Sequence, residues 1–156
     1  MIGARTAKRV AGLLGRRRFA RAPILVYRLR LGFLLGPRML MLEHTGRHSG
    51  RRRYVVLEVI DRPDPGSYVV ASGFGTRAQW LQNVMADQRV RVWSSWHPPR
   101  TGSAHVLTRA AGSAALRRYA AAHPRLWSQL RPVLEATLTT KIDLTDTDLP
   151  MVRIDT

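Results

Sequence analysis

The stretch MLMLEHTGRHSGRRRYVVLEVI, residues 39–60, decides the fold of this chain. Its ends, 39–44 and 54–60, are predicted strands, and the second is dense in β-branched residues. Between them, Gly46 and Gly50 bracket a hydroxyl and a cationic side chain, and three arginines follow. Backbone N–H groups, a hydroxyl and guanidinium groups this close together suit a phosphate or carboxylate. The stretch therefore predicts an anion-binding turn presented by a sheet, and the alternative is an ordinary hairpin with solvated arginines.

The rest of the chain predicts more short strands and a few helices. Strands are predicted at 68–72, 89–96, 101–108 and 151–154, and helices at 76–87, 114–122 and 127–138. Thr76 is expected to cap the first of these helices. An inward stripe on that helix is expected to hold Trp80, Leu81 and Val84. The sum is an α+β fold, an antiparallel barrel-like sheet with flanking helices, which the last strand closes.

The N-terminal segment, residues 1–37, is purely cationic, since the first acidic residue is Glu43. Residues 2–15 fit a basic amphipathic helix, which is typical of a membrane-surface or partner-binding element. Packing on its own domain is the equal alternative. The apolar run 22–36 is too short and too arginine-rich to span a membrane. We therefore expect a basic segment at 1–37 and one domain at 38–156.

Composition limits the classes of function. The chain has 156 residues, a net charge of +16 and no cysteine. Thiolate chemistry, disulfides and cysteine metal sites are excluded, and the five histidines show no metal-ligand spacing. The charge predicts an acidic partner, which is nucleic acid, an anionic membrane or a polyanionic ligand, although a coding bias toward arginine would give the same excess. Without cysteine the redox compartment is unmarked, and cytoplasm is the default.

A second group of residues follows the third predicted strand. Glycines in the segment 71–75 allow close approach by a flat ligand. Trp80 and Asn83 then place an indole and an amide one helical turn apart, where they could stack on and hydrogen-bond a ligand. The alternative is that Trp80 belongs to the core. No nucleophile–base arrangement is visible, so an enzyme of this kind needs a bound cofactor for its reaction.

Taken together, these blocks resemble the deazaflavin-dependent nitroreductase family, which includes quinone reductases. The matching blocks are TGRHSG (45–50) with Arg53, VASG (70–73) and WLQNVMAD (80–87). Members of that family use coenzyme F-420 and have a split β-barrel fold. The resemblance implies that a phosphate and a carboxylated tail are held by Arg47, His48, Ser49 and Arg53. It further implies that the deazaflavin ring lies against Ala71, Ser72, Gly73, Trp80 and Asn83.

Three positions depart from the family pattern. His48 stands where Lys is common, and Gly73-Phe74 replaces a Lys-Gly pair. In the segment expected to line the acceptor pocket, His123 and Trp127 stand where the nitroimidazole-reducing members have tyrosines. The resemblance thus implies hydride transfer from reduced F-420 to an organic acceptor such as a quinone, by a cytoplasmic protein peripheral on the inner membrane face. The alternatives are an FMN-binding split-barrel oxidoreductase and a basic nucleic-acid-binding module.

Overall fold

The computed structural model of the protein describes residues 38–95 and 97–156. Six strands form a closed antiparallel barrel in the order β1-β2-β3-β6-β5-β4. The strands are β1 (Met39–Thr45), β2 (Arg52–Asp61), β3 (Ser67–Ala71), β4 (Arg89–Ser94), β5 (Arg100–Val106) and β6 (Met151–Asp155). The helices are α1 (Gln79–Ala86), α2 (Arg109–Ala122) and α3 (Pro124–Leu138). The predicted α+β barrel is therefore confirmed, and the predicted segment 1–37 lies outside the described residues.

The last strand closes the barrel, as the sequence predicted. β6 pairs with β3 on one side and with β5 on the other. β1 pairs with both β2 and β4, which joins the two ends of the sheet. Since every strand has two neighbours, the barrel has no free edge. None of the helices in the described part of the chain is long and apolar enough to cross a membrane.

The barrel interior forms the first hydrophobic core. Leu40 and Leu42 of β1 face inward and stand opposite Leu57 and Val55 of β2. Because side chains alternate along a strand, His44 lies on this same inward face, at the end of β1. Helix α1 caps this end of the barrel, and its Trp80, Leu81 and Val84 belong to the interior core. The predicted inward stripe is thus confirmed.

A second core lies between the outer face of the sheet and the helices α2 and α3. Ile60, Val69 and Met151 pack there against residues such as Leu116 and Trp127. Burying each of these side chains contributes roughly 1.5–3 kcal/mol. This layer fixes the helices against β2, β3 and β6.

Three helix starts differ from the prediction. Thr76 does not cap α1, because residues Gly75–Arg77 form a 3-10 turn and Ala78 precedes the helix without a side-chain cap. Gly75 has a φ of 64°, a conformation that glycine adopts at no steric cost and that turns the chain before Thr76. Helix α2 starts earlier than predicted, since Thr108 accepts a hydrogen bond from the N–H of Ala111 at 3.3 Å. Helix α3 also starts earlier, with Pro124 in its first turn.

Candidate functional site

A cleft of about 700 Å³ opens between the β1–β2 turn and the start of α1. The residues from the strands and the turn are His44, Gly46, Arg47, His48, Ser49, Arg53, Tyr54 and Val55. The residues from the opposite wall are Phe74, Arg77, Ala78, Gln79, Trp80 and Asn83. We call this the cationic cleft. One wall is therefore the predicted anion-binding turn, and the other is the end of the helix that caps the barrel.

Tight backbone geometry shapes the turn. The N–H of Gly46 donates to the carbonyl of Arg51, and the N–H of Gly50 donates to the carbonyl of Gly46, both at 2.8 Å. A Cβ at position 46 would lie 2.8 Å from the Ser49 hydroxyl oxygen, so a larger residue would displace that side chain. The N–H groups of His48 and Ser49 donate to no acceptor within the described residues. The turn therefore keeps donors available for a ligand.

Asn83 ties the two walls together from a buried position. Its Oδ1 accepts from the backbone N–H of Arg47 at 3.1 Å and from Arg47 Nη1 at 3.0 Å. Arg47 Nη1 also donates to Gln79 Oε1 at 3.0 Å. Two donors on one side of the amide fix its orientation, so the opposite side presents the Nδ2 group. The turn is thus held against α1 before any ligand binds.

The Asn83 Nδ2 group lies 3.1 Å from Nδ1 of His44, which is only 5% exposed. Burial, with a smaller effect from the positive charge of Arg53, lowers the pKa of His44 to about 4. Arg53 is the cross-strand partner of His44, which explains the electrostatic effect. His44 is therefore a neutral imidazole at physiological pH, and it forms part of the cleft wall.

Positive charge in the cationic cleft is not balanced by protein carboxylates. Arg47, Arg53 and Arg77 line it together with two histidines, and no Asp or Glu lines it. Arg53 and Arg77 form no ion pair within the part of the chain that is described. Such a cleft attracts an anionic ligand, and the guanidinium groups can hold phosphate or carboxylate with two hydrogen bonds each.

The structure brings six of the predicted cofactor-binding residues to this one cleft. They are Arg47, His48, Ser49, Arg53, Trp80 and Asn83. Trp80 is also part of the interior core, so the alternative reading of this residue holds as well. Trp80 thus belongs to the interior core and also contributes to the cleft wall.

The predicted residues Ala71, Ser72 and Gly73 do not line the cationic cleft. Ser72 is fully buried, and its hydroxyl donates to the carbonyl of Gly75 at 2.7 Å. A Cβ at Gly73 would lie 3.2 Å from a Leu134 methyl group, so this face of the backbone meets α3. Ala71 packs against the second core. Their role in cofactor binding stays a prediction, and the next residue, Phe74, is the one that reaches the cleft.

The predicted acceptor residues His123 and Trp127 lie elsewhere. Trp127 is buried in the second core, while His123 helps to line a smaller pocket of about 290 Å³ between β2 and α2. We call this the helix-side pocket, lined by Arg38, Val59, Ile60, Asp61, Arg62, Arg118, Tyr119, Ala122 and His123. Their place in an acceptor site stays a prediction.

The helix-side pocket contains a closed polar network. The Tyr119 hydroxyl donates to Glu58 Oε1 at 2.7 Å, and Arg38 Nη2 donates to the same oxygen at 2.8 Å. Burial and the carboxylate of Glu58 raise the pKa of Tyr119 to about 12. Arg118 pairs with Asp61 at 2.6 Å. Arg38 and Arg118 of this pocket are therefore paired with protein carboxylates.

Eight residues that line the cationic cleft were not among the predicted cofactor-binding residues: His44, Gly46, Tyr54, Val55, Phe74, Arg77, Ala78 and Gln79. A signal for His44 was present, because it continues the inward alternation of Leu40 and Leu42. Phe74 lies within the segment 71–75 that the sequence singled out, whereas Arg77 gave no signal. Their positions depend on the 3-10 turn, which the sequence did not predict.

The fold and the cleft define the class of protein: an antiparallel barrel with a cleft suited to an anionic ligand. The described residues contain no group of side chains that could hold a metal ion. The family model of F-420H(2)-dependent quinone reductase matches residues 21–155. The chain therefore belongs to this family. It is an F-420-dependent oxidoreductase, and coenzyme F-420 is its cofactor. The arginine-rich cleft without carboxylates fits the anionic part of that cofactor.

Solved structures share the fold at low sequence identity. A structure of an F-420-H2 dependent reductase, FDR-A, is 20% identical with a TM-score of 0.53, over 76% of this chain and 94% of that one. A structure described as a domain-swapped dimer is 19% identical with a TM-score of 0.54, over 86% and 100%. A protein related to general stress protein 26, of the pyridoxinephosphate oxidase family, from Clostridium acetobutylicum is 8% identical with a TM-score of 0.52, over 84% and 83%. The comparison with curated proteins gives no significant match.

Proposed function

We propose that the protein reduces a quinone with reduced coenzyme F-420 bound in the cationic cleft. The observation that carries this proposal is the set of three arginines lining a cleft that no carboxylate lines. Arg47, Ser49 and Arg53, with His48, hold the phosphate and the carboxylated tail. When bound, the cofactor supplies the hydride, and the protein supplies position and orientation.

The other wall of the cleft suits the flat part of such a ligand. Trp80 and Ala78 contribute apolar surface there, and Phe74 is 43% exposed. Apolar contacts at one end and cations at the other bind a molecule that has an aromatic head and an anionic tail. Ala71, Ser72 and Gly73 are proposed to support the ring from the strand end behind this wall. For the acceptor, His123 and Trp127 remain the proposed pocket residues.

A calorimetric titration with oxidised F-420 tests the binding site. We expect the Arg53→Gln variant to bind the cofactor about ten- to a hundredfold more weakly, the loss typical of a hydrogen bond to a charged group. Arg51→Gln is the matched control, since it removes the same charge two residues away, outside the cleft lining. Equal losses in the two variants would show that only net charge matters and would overturn the site.

The same protein then tests the acceptor. Reduced F-420 is mixed with a menaquinone analogue, and the reoxidation of the deazaflavin is followed by absorbance. Turnover is the expected result. Binding of F-420 without turnover would contradict a quinone as the acceptor and leave the cofactor site intact. Tight binding of FMN in place of F-420 would contradict F-420 as the ligand of the cleft.

We further propose that the protein contacts an anionic membrane through residues 1–37, where a quinone acceptor would be dissolved. The support is the basic amphipathic pattern of residues 2–15. The full-length protein should co-sediment with vesicles containing anionic lipid. A variant with Arg5, Lys8, Arg9 and Arg16 all changed to Gln should remain in solution. Equal sedimentation of both proteins would contradict this membrane contact.

A further inference from the structure

His44 is the one buried imidazole in the wall of the cationic cleft, and the resemblance assigned it no role. It is only 5% exposed, and its ring nitrogen Nδ1 lies 3.1 Å from the amide nitrogen of Asn83. Its other nitrogen, Nε2, has no hydrogen-bond partner among the described residues. A buried polar group without a partner costs free energy, so a ligand oxygen that accepts a hydrogen bond from this nitrogen would offset that cost.

The hydrogen bonds around Asn83 determine which nitrogen of His44 carries the proton. Because Oδ1 of Asn83 accepts two hydrogen bonds from Arg47, its Nδ2 group must face His44. An amide NH2 group only donates, so Nδ1 of His44 must accept and carries no proton. The neutral ring then carries its single proton on Nε2. His44 is therefore fixed as a hydrogen-bond donor through Nε2.

We propose that His44 is a further ligand-binding residue of the cationic cleft: its Nε2–H group donates a hydrogen bond to an oxygen atom of the ligand that Arg47 and Arg53 hold. This rests on the proposed function, which places F-420 in this cleft. His44 and Arg53 are cross-strand neighbours on the inward face of the barrel end. A neutral donor beside a guanidinium group suits a phosphate, carboxylate or carbonyl oxygen.

The fixed tautomer determines which ring nitrogen of His44 donates to the ligand. Arg47 holds Asn83, Asn83 holds the ring of His44, and the ring presents one N–H group. The donor is therefore oriented before the ligand arrives, which lowers the entropy cost of binding. Arg47 would thus act twice, by direct contact with the anion and by positioning His44 through Asn83.

Nuclear magnetic resonance on the full-length protein with 15N-labelled histidine tests the tautomer directly. In the free protein, the nitrogen shifts of His44 should show a proton on Nε2 and none on Nδ1. The His44→Phe variant identifies these signals by their absence. On saturation with oxidised F-420, the Nε2 proton signal should move downfield and exchange more slowly with water. A proton on Nδ1, or a signal that saturation leaves unchanged, would overturn the proposal.

Affinity supplies a second measurement. His44→Phe should weaken F-420 binding about tenfold, as expected for one lost hydrogen bond to a charged group. His44→Gln, whose amide can accept from Asn83 and still donate, should keep the affinity within about threefold. If the wild type binds no F-420, the proposed function fails. If it binds and Phe and Gln behave alike, only the role of His44 fails.

Discussion

The cationic cleft and the helix-side pocket both contain arginines, and they differ in what those arginines contact. In the helix-side pocket, Arg38 pairs with Glu58 and Arg118 pairs with Asp61. In the cationic cleft, Arg47 is held by the neutral amides of Gln79 and Asn83. The helix-side pocket pairs Arg38 and Arg118 with protein carboxylates, while the cationic cleft leaves its guanidinium groups for a ligand.

This difference shows why net charge is a poor guide to function. A charge of +16 predicts acidic partners in general and says nothing about where they bind. Partly exposed ion pairs such as Arg118–Asp61 contribute little stability, about 1 kcal/mol or less. What marks a binding site is the absence of carboxylates from a concave surface that gathers several cations. Of the two regions, only the cationic cleft gathers several cations without a lining carboxylate.

The largest expected effect comes from giving the cationic cleft a carboxylate of its own. In Arg77→Glu, the new side chain lines the cleft, so it repels an anionic ligand and competes for Arg47 and Arg53. We expect F-420 affinity to fall by at least about a hundredfold, in line with the several kcal/mol that the juxtaposition of like charges costs at an interface. A titration with oxidised F-420 measures this change.

The control is the same charge reversal in the other region. Arg118→Glu changes net charge equally and places a carboxylate beside Asp61 in the helix-side pocket. Its F-420 affinity should stay within about threefold of the wild type. A comparable loss in both variants would mean that the two regions do not differ, and the comparison would be wrong.

The second prediction concerns the buried imidazole of the cleft. The pKa of His44 is lowered from 6.5 to about 4, so the folded protein resists protonation that the unfolded chain accepts. Its contribution to stability is complete above pH 6.5 and is lost progressively as the pH falls from 6.5 to about 4. By linkage, the loss is about 3 kcal/mol.

Urea unfolding of the wild type and of His44→Gln between pH 7 and pH 4 measures this contribution. The free energy of unfolding should fall more steeply with decreasing pH in the wild type, because the variant lacks the titrating ring. Among the described residues, Arg53 from β2 lies close enough to lower the pKa of the ring, and the neutral amide of Asn83 from α1 contacts it. Parallel curves for the two proteins would show that His44 is not held neutral by burial.

The same two regions show how far the sequence alone could lead. The β-branched residues of 54–60 and the glycines of the turn were enough to predict two strands joined by an anion-binding turn. Both features depend on residues close in sequence, so local pattern determines them. The inward stripe of Trp80, Leu81 and Val84 is predictable for the same reason.

The rest of the site depends on contacts between distant residues. Asn83 meets Arg47 and His44 only because α1 caps the barrel end, and no local pattern contains that contact. The 3-10 turn that brings Arg77 and Phe74 to the cleft replaced the predicted cap at Thr76. The family motif also includes Ala71, Ser72 and Gly73. In the structure, Ala71 packs against the second core, Ser72 is fully buried and the backbone of Gly73 faces α3. A motif thus identifies the neighbourhood of a site better than the residues that line it.

The smallest expected effect lies in the helix-side pocket, where Tyr119→Phe removes one hydroxyl from a closed network. That hydroxyl donates to Glu58 at 2.7 Å and accepts from Arg38 at 3.3 Å, and Tyr119 is only 2% exposed. Loss of the hydrogen bond should lower the free energy of unfolding by about 1 kcal/mol, since Arg38 still pairs with Glu58. F-420 affinity should not change, because the network contributes to the fold and the helix-side pocket shares no lining residue with the cationic cleft. Urea unfolding and a cofactor titration on the same variant measure both quantities, and weaker F-420 binding would mean that the helix-side pocket acts on the cleft through the barrel.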